Sequence, residues 1–214
     1  MLITSDMHGQ EKTNTEQLIL EVAEEEFMTK GFDGARTTSI ARKAGVTHAM
    51  LHYYFRTKEQ LFERVVAKIS SIVAQTMVAA MGDPAMPVIE RIKSGIASHF
   101  DLIAANPLLP RFFLSEIIQR PERYYMLHEN LTRHMGGLAA RLQTEVDLAA
   151  ERGEMEAVDV RTLLVSILSL NVFPFVTQPF AEHLLYHSDS GRGQVLSNRK
   201  AENIEIIMRR IKKQ

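Results

Sequence analysis

Residues 37–58, TTSIARKAGVTHAMLHYYFRTK, read as two short helices joined at a glycine. This window constrains the fold more than any other. Ile40, Ala41, Ala44, Val46 and Leu51 supply the apolar contacts between the two helices, and Ala41 is small where they cross. Gly45 sits where the chain leaves the first helix, a position that favours left-handed backbone. Thr47 follows as the N-cap of the second helix, its hydroxyl able to accept from a free backbone N–H. This is the sequence form of a helix-turn-helix, whose geometry implies a ligand: the major groove of DNA.

Local charge agrees. The chain as a whole carries −1, so bulk charge is uninformative. From Gly34 to Lys58 there is no Asp or Glu, while Arg36, Arg42, Lys43, Arg56 and Lys58 are cationic and His48 and His52 lie among them. Such a block can neutralise phosphates. Upstream, Glu11, Glu16, Glu21, Glu24, Glu25 and Glu26 carry the opposite sign and are expected to face away from DNA or pair with neighbouring cations.

The run from Leu18 to Leu61 resembles the N-terminal domain of the tetracycline-repressor (TetR) family of bacterial transcription regulators. The matching residues are Ile19-Leu20, Ala23, Phe27, Gly31-Phe32, Ile40-Ala41, Ala44-Gly45-Val46-Thr47, Leu51, Tyr53-Tyr54-Phe55, Lys58-Glu59 and Leu61-Phe62. The resemblance implies that Thr38, Thr47, His48, Ala49 and His52 approach bases or phosphates, and that Tyr53 and Lys58 bind the phosphate backbone. Phe55 is expected in the core. Position 52 departs from the pattern, being His where the family usually has an aromatic, commonly Tyr. A neutral imidazole there is expected still to donate to phosphate, with a smaller stacking body.

Helical patterning continues through the chain. Helices are expected over residues 14–30, opened by a Thr13/Glu16 capping box and ended at Gly31, and from Thr57, capped with Gln60, towards Ala80. Gly82, Asp83 and Pro84 break that rod. Further helices are expected up to Asn106-Pro107, over 111–119, and over 122–151 with Gly136-Gly137 as a weak point. Asp159 looks like the cap of a helix that Pro174 and Pro179 bend. Residues 186–195 read as a polar loop, and Ile204, Ile207, Met208 and Ile211 form the stripe of a last helix. The fold class is therefore all-α: residues 1–12 without order, a three-helix DNA-binding domain over 13–60, and a larger helical domain over 61–214.

The chain has no cysteine, which fits a reducing cytoplasm. Its N-terminus lacks the pattern of a secretory signal. The most apolar run, residues 163–176, is too short to span a bilayer. A membrane role is not expected.

One recognition helix covers few base pairs, so a symmetric homodimer on a pseudo-palindromic site is expected. Its surface is expected on the last two long helices: Leu163, Leu164, Ile167, Leu168, Ile204, Ile207, Met208 and Ile211. The middle helices are rich in Met and aromatic residues. Met77, Met81, Phe100, Phe112, Phe113, Tyr125 and Met135 are candidates to line an adaptable pocket for a small, largely apolar effector. Binding there is expected to tilt the fourth helix and weaken DNA binding by a population shift. Repression is the sign the resemblance implies.

Two other classes fit the sequence less well. A helical adaptor could keep the fold without binding DNA, but Thr47, Tyr53 and Lys58 argue against it. An enzyme would need a phosphate loop, a nucleophile elbow or a carboxylate–histidine cluster, and the sequence has none. His48/His52 and His183/His187 are each four apart but have no third ligand, so no metal and no cofactor is expected.

Overall fold

The computed structural model describes residues 3–178, 180 and 192–213. Its helices are α1 (Ile3–Gly34), α2 (Thr37–Lys43), α3 (His48–Tyr54), α4 (Lys58–Met81), α5 (Val88–Ala105) and α6 (Leu109–Phe112). Helix α6 runs on into a π-helical stretch, Phe113–Ile118. Then come α7 (Pro121–Met135), α8 (Leu138–Glu151), α9 (Val160–Val176) and α10 (Arg192–Ile211). No strand occurs among the described residues.

Two compact units are present: Met1–Ser70 with Phe112–His128, and Ser71–Arg111 with Glu129–Gln214. The first unit therefore takes in more than the three-helix domain expected from sequence. Helix α4 runs unbroken past Ser70. By length and composition alone α4 could cross a bilayer. Its Leu61, Phe62, Val65, Val66 and Ile69 are instead buried in the protein.

In the first unit, Ile19, Ala23, Phe27, Ile40, Ala41, Leu51, Phe55 and Leu61 form the interior. Each large side chain among them contributes about 1.5–3 kcal/mol by leaving water. Phe62 meets Phe27 and Phe32 edge-on, both at 5.1 Å between centroids, and Phe112 at 5.8 Å. Helix α1 begins at Ile3, so the Thr13/Glu16 pair lies within it rather than opening it, and residues 3–12 are helical where none was expected. Gly31 interrupts α1 with φ 67° and ψ 177°, as its place at the end of the apolar stripe predicted.

In the second unit, one interior joins Met77, Met81, Ile92, Leu142, Val146, Leu163, Ile207 and Ile211. Gly95 lets the Met81 side chain lie close against α5, in space a Cβ would need. The Arg91 guanidinium is buried, bonded to the Met81 carbonyl at 2.7 Å and to the Glu145 carboxylate. Farther along, Asn171 donates to Ile96 O at 3.0 Å and to His99 Nδ1 at 3.3 Å. Asn203 donates to Leu170 O at 2.9 Å and to Asn171 Oδ1 at 3.0 Å. These amides connect α5, α9 and α10 through bonds that apolar packing could not supply.

Several local expectations change. The single helix expected over 122–151 is two, because Gly136 (φ 49°) and Gly137 (φ 71°) take left-handed backbone between α7 and α8. The expected 111–119 helix is a short α-helix widening into the π stretch. Pro174 lies within α9. Residues 192–195 belong to α10 and not to a loop. Pro179, His183, His187 and residues 186–191 lie outside the described residues.

Candidate nucleic-acid interface

Helix α2 ends in a double hydrogen bond. Gly45 N–H donates to Arg42 O at 3.3 Å and Val46 N–H to Ala41 O at 3.0 Å. That pairing is a Schellman termination, and it needs left-handed backbone at the intervening residue. Gly45 provides it, with φ 66°. A Cβ there would meet nothing within 4 Å, so backbone conformation and not space requires glycine. The chain then turns into α3 through Thr47, whose Oγ1 accepts from Met50 N–H at 3.1 Å. Thr57 caps α4 in the same way, accepting from Gln60 N–H at 3.1 Å.

Leu51 anchors α3 and is fully buried; Phe55, just beyond its end, is 2% exposed, the core role expected for it. The opposite side carries Thr47, His48, Ala49, Met50, His52 and Tyr53, all exposed. Sequence reasoning missed Met50, because an apolar residue beside Leu51 looks like core; it is 42% exposed. The His48 and His52 rings stand edge-on at 4.4 Å. His48 Nε2 lies 3.0 Å from Thr37 Oγ1, joining the first residues of α2 and α3. His52 Nδ1 lies 3.1 Å from Arg56 O.

The cations divide into two sets. Arg36, Arg42 and Arg56 are exposed and make no ion pair among the described residues. Lys43 is turned the other way, to Glu26 at 3.0 Å and Glu25 at 3.6 Å on α1. Glu26 also holds Lys30 at 2.6 Å, and its side chain is wholly buried. Burial pushes the Glu26 carboxyl up, but bonds from Lys30 and Lys43 outweigh it and hold its pKa below the ordinary carboxylate value. Those bonds in turn raise the Lys43 pKa. Lys58 is half-buried, its Nζ 4.7 Å from the Phe32 ring centre and 3.5 Å from Asp33 O. Thr38 is exposed in the first turn of α2.

The expected pocket residues are divided between the two units. Met77, Met81 and Met135 share the interior of the second unit. Phe100 packs on Phe175 at 5.3 Å in a separate cluster. Phe112 and Phe113 belong to the first unit, as does Tyr125, which is 68% exposed. An open hollow of about 330 Å³ lies elsewhere, lined by Pro84, Met86, Pro87, Glu145, Leu148 and Arg152 among others.

Of the expected dimer residues, Leu163, Ile167, Ile207, Met208 and Ile211 are buried inside the single chain. Leu164 and Ile204 are half-buried against the same interior. Leu168 is exposed, with Val165, Phe173 and Ile206. Among the described residues no three His, Asp or Glu gather as a metal site.

The sequence profile of the bacterial regulatory proteins of the tetR family matches residues 19–65, from α1 through the motif into α4. Residues 19–65 are a tetR-family DNA-binding domain. The chain is 28% identical to the HTH-type transcriptional regulator RutR of Escherichia coli (strain K12), over 89% of this chain and 86% of that one. It is 25% identical to the HTH-type regulator YdgC of Bacillus subtilis, over 70% of this chain and 81% of that one. Its fold is shared by a TetR-family transcription regulator from Marinobacter aquaeolei, with TM-score 0.63 at 17% identity, covering 96% and 99% of the two chains. A TetR/AcrR-family regulator from Thermobifida fusca has TM-score 0.63 at 22% identity, covering 89% and 97%. The chain is a DNA-binding transcriptional regulator of the helix-turn-helix type.

Proposed function

We propose that the protein is a ligand-responsive repressor that binds a pseudo-palindromic operator as a homodimer. The observation that carries this reading is the exposed, threonine-capped α3. Its outward side is polar, and the motif around it holds cations without a carboxylate. A helix presented in this way can enter a major groove while Arg36, Arg42 and Arg56 meet flanking phosphates. Repression is the usual sign in the family.

The homodimer is supported by exposed apolar residues on α9 and α10. Val165 is 63% exposed, Leu168 48% and Ile206 42%. Their burial against a second copy would remove apolar surface from water and hold two recognition helices in fixed spacing. The effector site is supported by the Met-rich interior of the second unit, where Met77, Met81, Met135 and Met155 can repack around a small apolar guest. Met77 and Met81 end the helix that begins at Lys58, directly after the motif. A change at those methionines therefore acts on the same helix that follows α3.

The test is selection of bound duplexes from a random pool with the full-length protein, followed by affinity measurement against salt. Recovered sites with two-fold symmetry and affinity that falls steeply with salt support the reading. Recovery of no preferred sequence, with no salt-dependent binding, overturns it. Apolar compounds that bind the protein should weaken the selected complex; if none that binds does so, the effector role is wrong.

A further inference from the structure

His52 stands on the exposed side of α3, with Nδ1 3.1 Å from the carbonyl oxygen of Arg56. A carbonyl oxygen only accepts, so Nδ1 carries the ring proton in that bond. The neutral ring is left with Nε2, a bare acceptor. Phosphate oxygens also only accept. While it keeps that bond, neutral His52 has no donor to offer a phosphate. The doubly protonated ring keeps the bond to Arg56 and presents a charged donor at Nε2.

His48 is placed differently. Its Nε2 faces Thr37 Oγ1 at 3.0 Å, and a hydroxyl can donate or accept. That contact survives either protonation state, so His48 carries no equivalent requirement.

The titratable and charged residues of α3, of α2 packed against it and of the chain just beyond it are His48, Tyr53 and Tyr54; Arg42 and Lys43; and Arg56, Lys58 and Glu59. Lys43 is held by Glu26. Glu59 is the one carboxylate in that set, in the first turn of α4. The motif itself has no acid to hold an imidazolium, and the incoming phosphates are the anion that would.

We propose that His52 is a protonation-gated DNA contact: the protein takes up a proton at His52 when it binds duplex, and its DNA affinity falls as pH rises through neutrality. This rests on the DNA-binding reading above. The probe is the tightest duplex recovered from the random pool at neutral pH, with dissociation constants measured at constant ionic strength. Wild type should bind roughly tenfold more weakly at about pH 8 than at about pH 6. His52→Gln, whose amide donates at any pH, should bind with nearly flat pH dependence. His48→Gln should keep the wild-type slope. In NMR spectra, the His52 ring should hold its protonated signal to higher pH in the complex than in the free protein.

A flat wild-type profile, or a slope retained in His52→Gln, overturns this inference alone. Absence of duplex binding at every pH removes the DNA-binding reading and this inference with it. Unchanged thermal melting of both variants confirms that the comparison is between folded proteins.

Discussion

Glu116 fills the space beside Gly31 that any other residue's Cβ would need; a Cβ there would meet Glu116 Oε1. The contact lies within the first unit and seats the π-helical stretch against the end of α1. Gly31 also holds φ 67° with ψ 177°, backbone that is essentially reserved for glycine. Gly31→Ala should therefore cost about 2–3 kcal/mol, through strain and displacement of Glu116 together. Thermal melting should fall by roughly 5–10 °C. An unchanged melting temperature would show that α1 can end another way.

Arg123 secures the same corner. Its guanidinium lies 4.3 Å from the Phe32 ring centre and 4.5 Å from that of Phe62, and bonds Glu116 Oε2 at 2.9 Å and Glu116 O at 3.1 Å. Arg123→Ala leaves Glu116 with Arg120 at 3.9 Å. The expected loss is about 1–3 kcal/mol by denaturant unfolding. Arg123→Lys should recover only part of it, because an ammonium lacks the planar fork.

Thr47→Ala removes the acceptor for Met50 N–H. It should cost about 1 kcal/mol of stability and weaken operator binding, since α3 frays at the end proposed to meet DNA. Thr47→Ser keeps the hydroxyl and should restore both. Equal behaviour of Ala and Ser would assign Thr47 no capping role.

His99 gives the second unit an acid sensitivity of its own. Burial pushes its imidazole down from 6.5 to about 4. Unfolded, the ring takes a proton near pH 6.5; folded, it resists until about pH 4. Acid between those values favours the unfolded chain. Stability is level above about pH 6.5 and declines as pH drops, by up to about 3 kcal/mol. Glu26 and Asp33 are held below their ordinary values of 4.5 and 3.8, so their losses come at lower pH. His99→Gln should flatten the unfolding free energy between about pH 6.5 and pH 4.5, and a slope kept in the variant would assign that window elsewhere.

The proposed dimer surface separates two kinds of substitution on one helix. Val165→Lys and Leu168→Glu replace exposed residues of α9 and should yield folded monomers in sedimentation. Leu163→Ala, 2% exposed, should instead cost about 2–5 kcal/mol in stability. A dimer that survives both charged variants places the interface on another surface.

What could be read from sequence was local. Thr47, Thr57 and Asp159 act within three residues of themselves, and all three accept the expected N–H bonds. Gly31 and Gly45 mark backbone that only a few residues tolerate. What failed was partner choice across space. The stripe through Leu163, Ile167 and Ile207 signalled burial, but periodicity does not say whether the covering surface belongs to the same chain. Lys43 looked available because its counter-ion, Glu26, lies on another helix. Met77, Met81, Phe100 and Phe112 are interior as their composition suggested, but composition does not say which of them share a cavity. The π stretch has no sequence signal of its own: Phe113–Ile118 reads as ordinary helix until Glu116 is seen against Gly31.

The hydrogen-bonded chain of His99, Asn171 and Asn203 has an effect beyond its own bonds. A greasy seam between helices lets one rod ratchet past the next with modest loss. Here Asn171 and Asn203 bond particular groups on the facing helices, so slippage by a turn would strand those donors in a dry interior. The helices are thereby indexed like keyed shafts. Because α9 and α10 are keyed from within, the outward set of Val165, Leu168 and Ile206 is presented in one fixed arrangement to the proposed second copy.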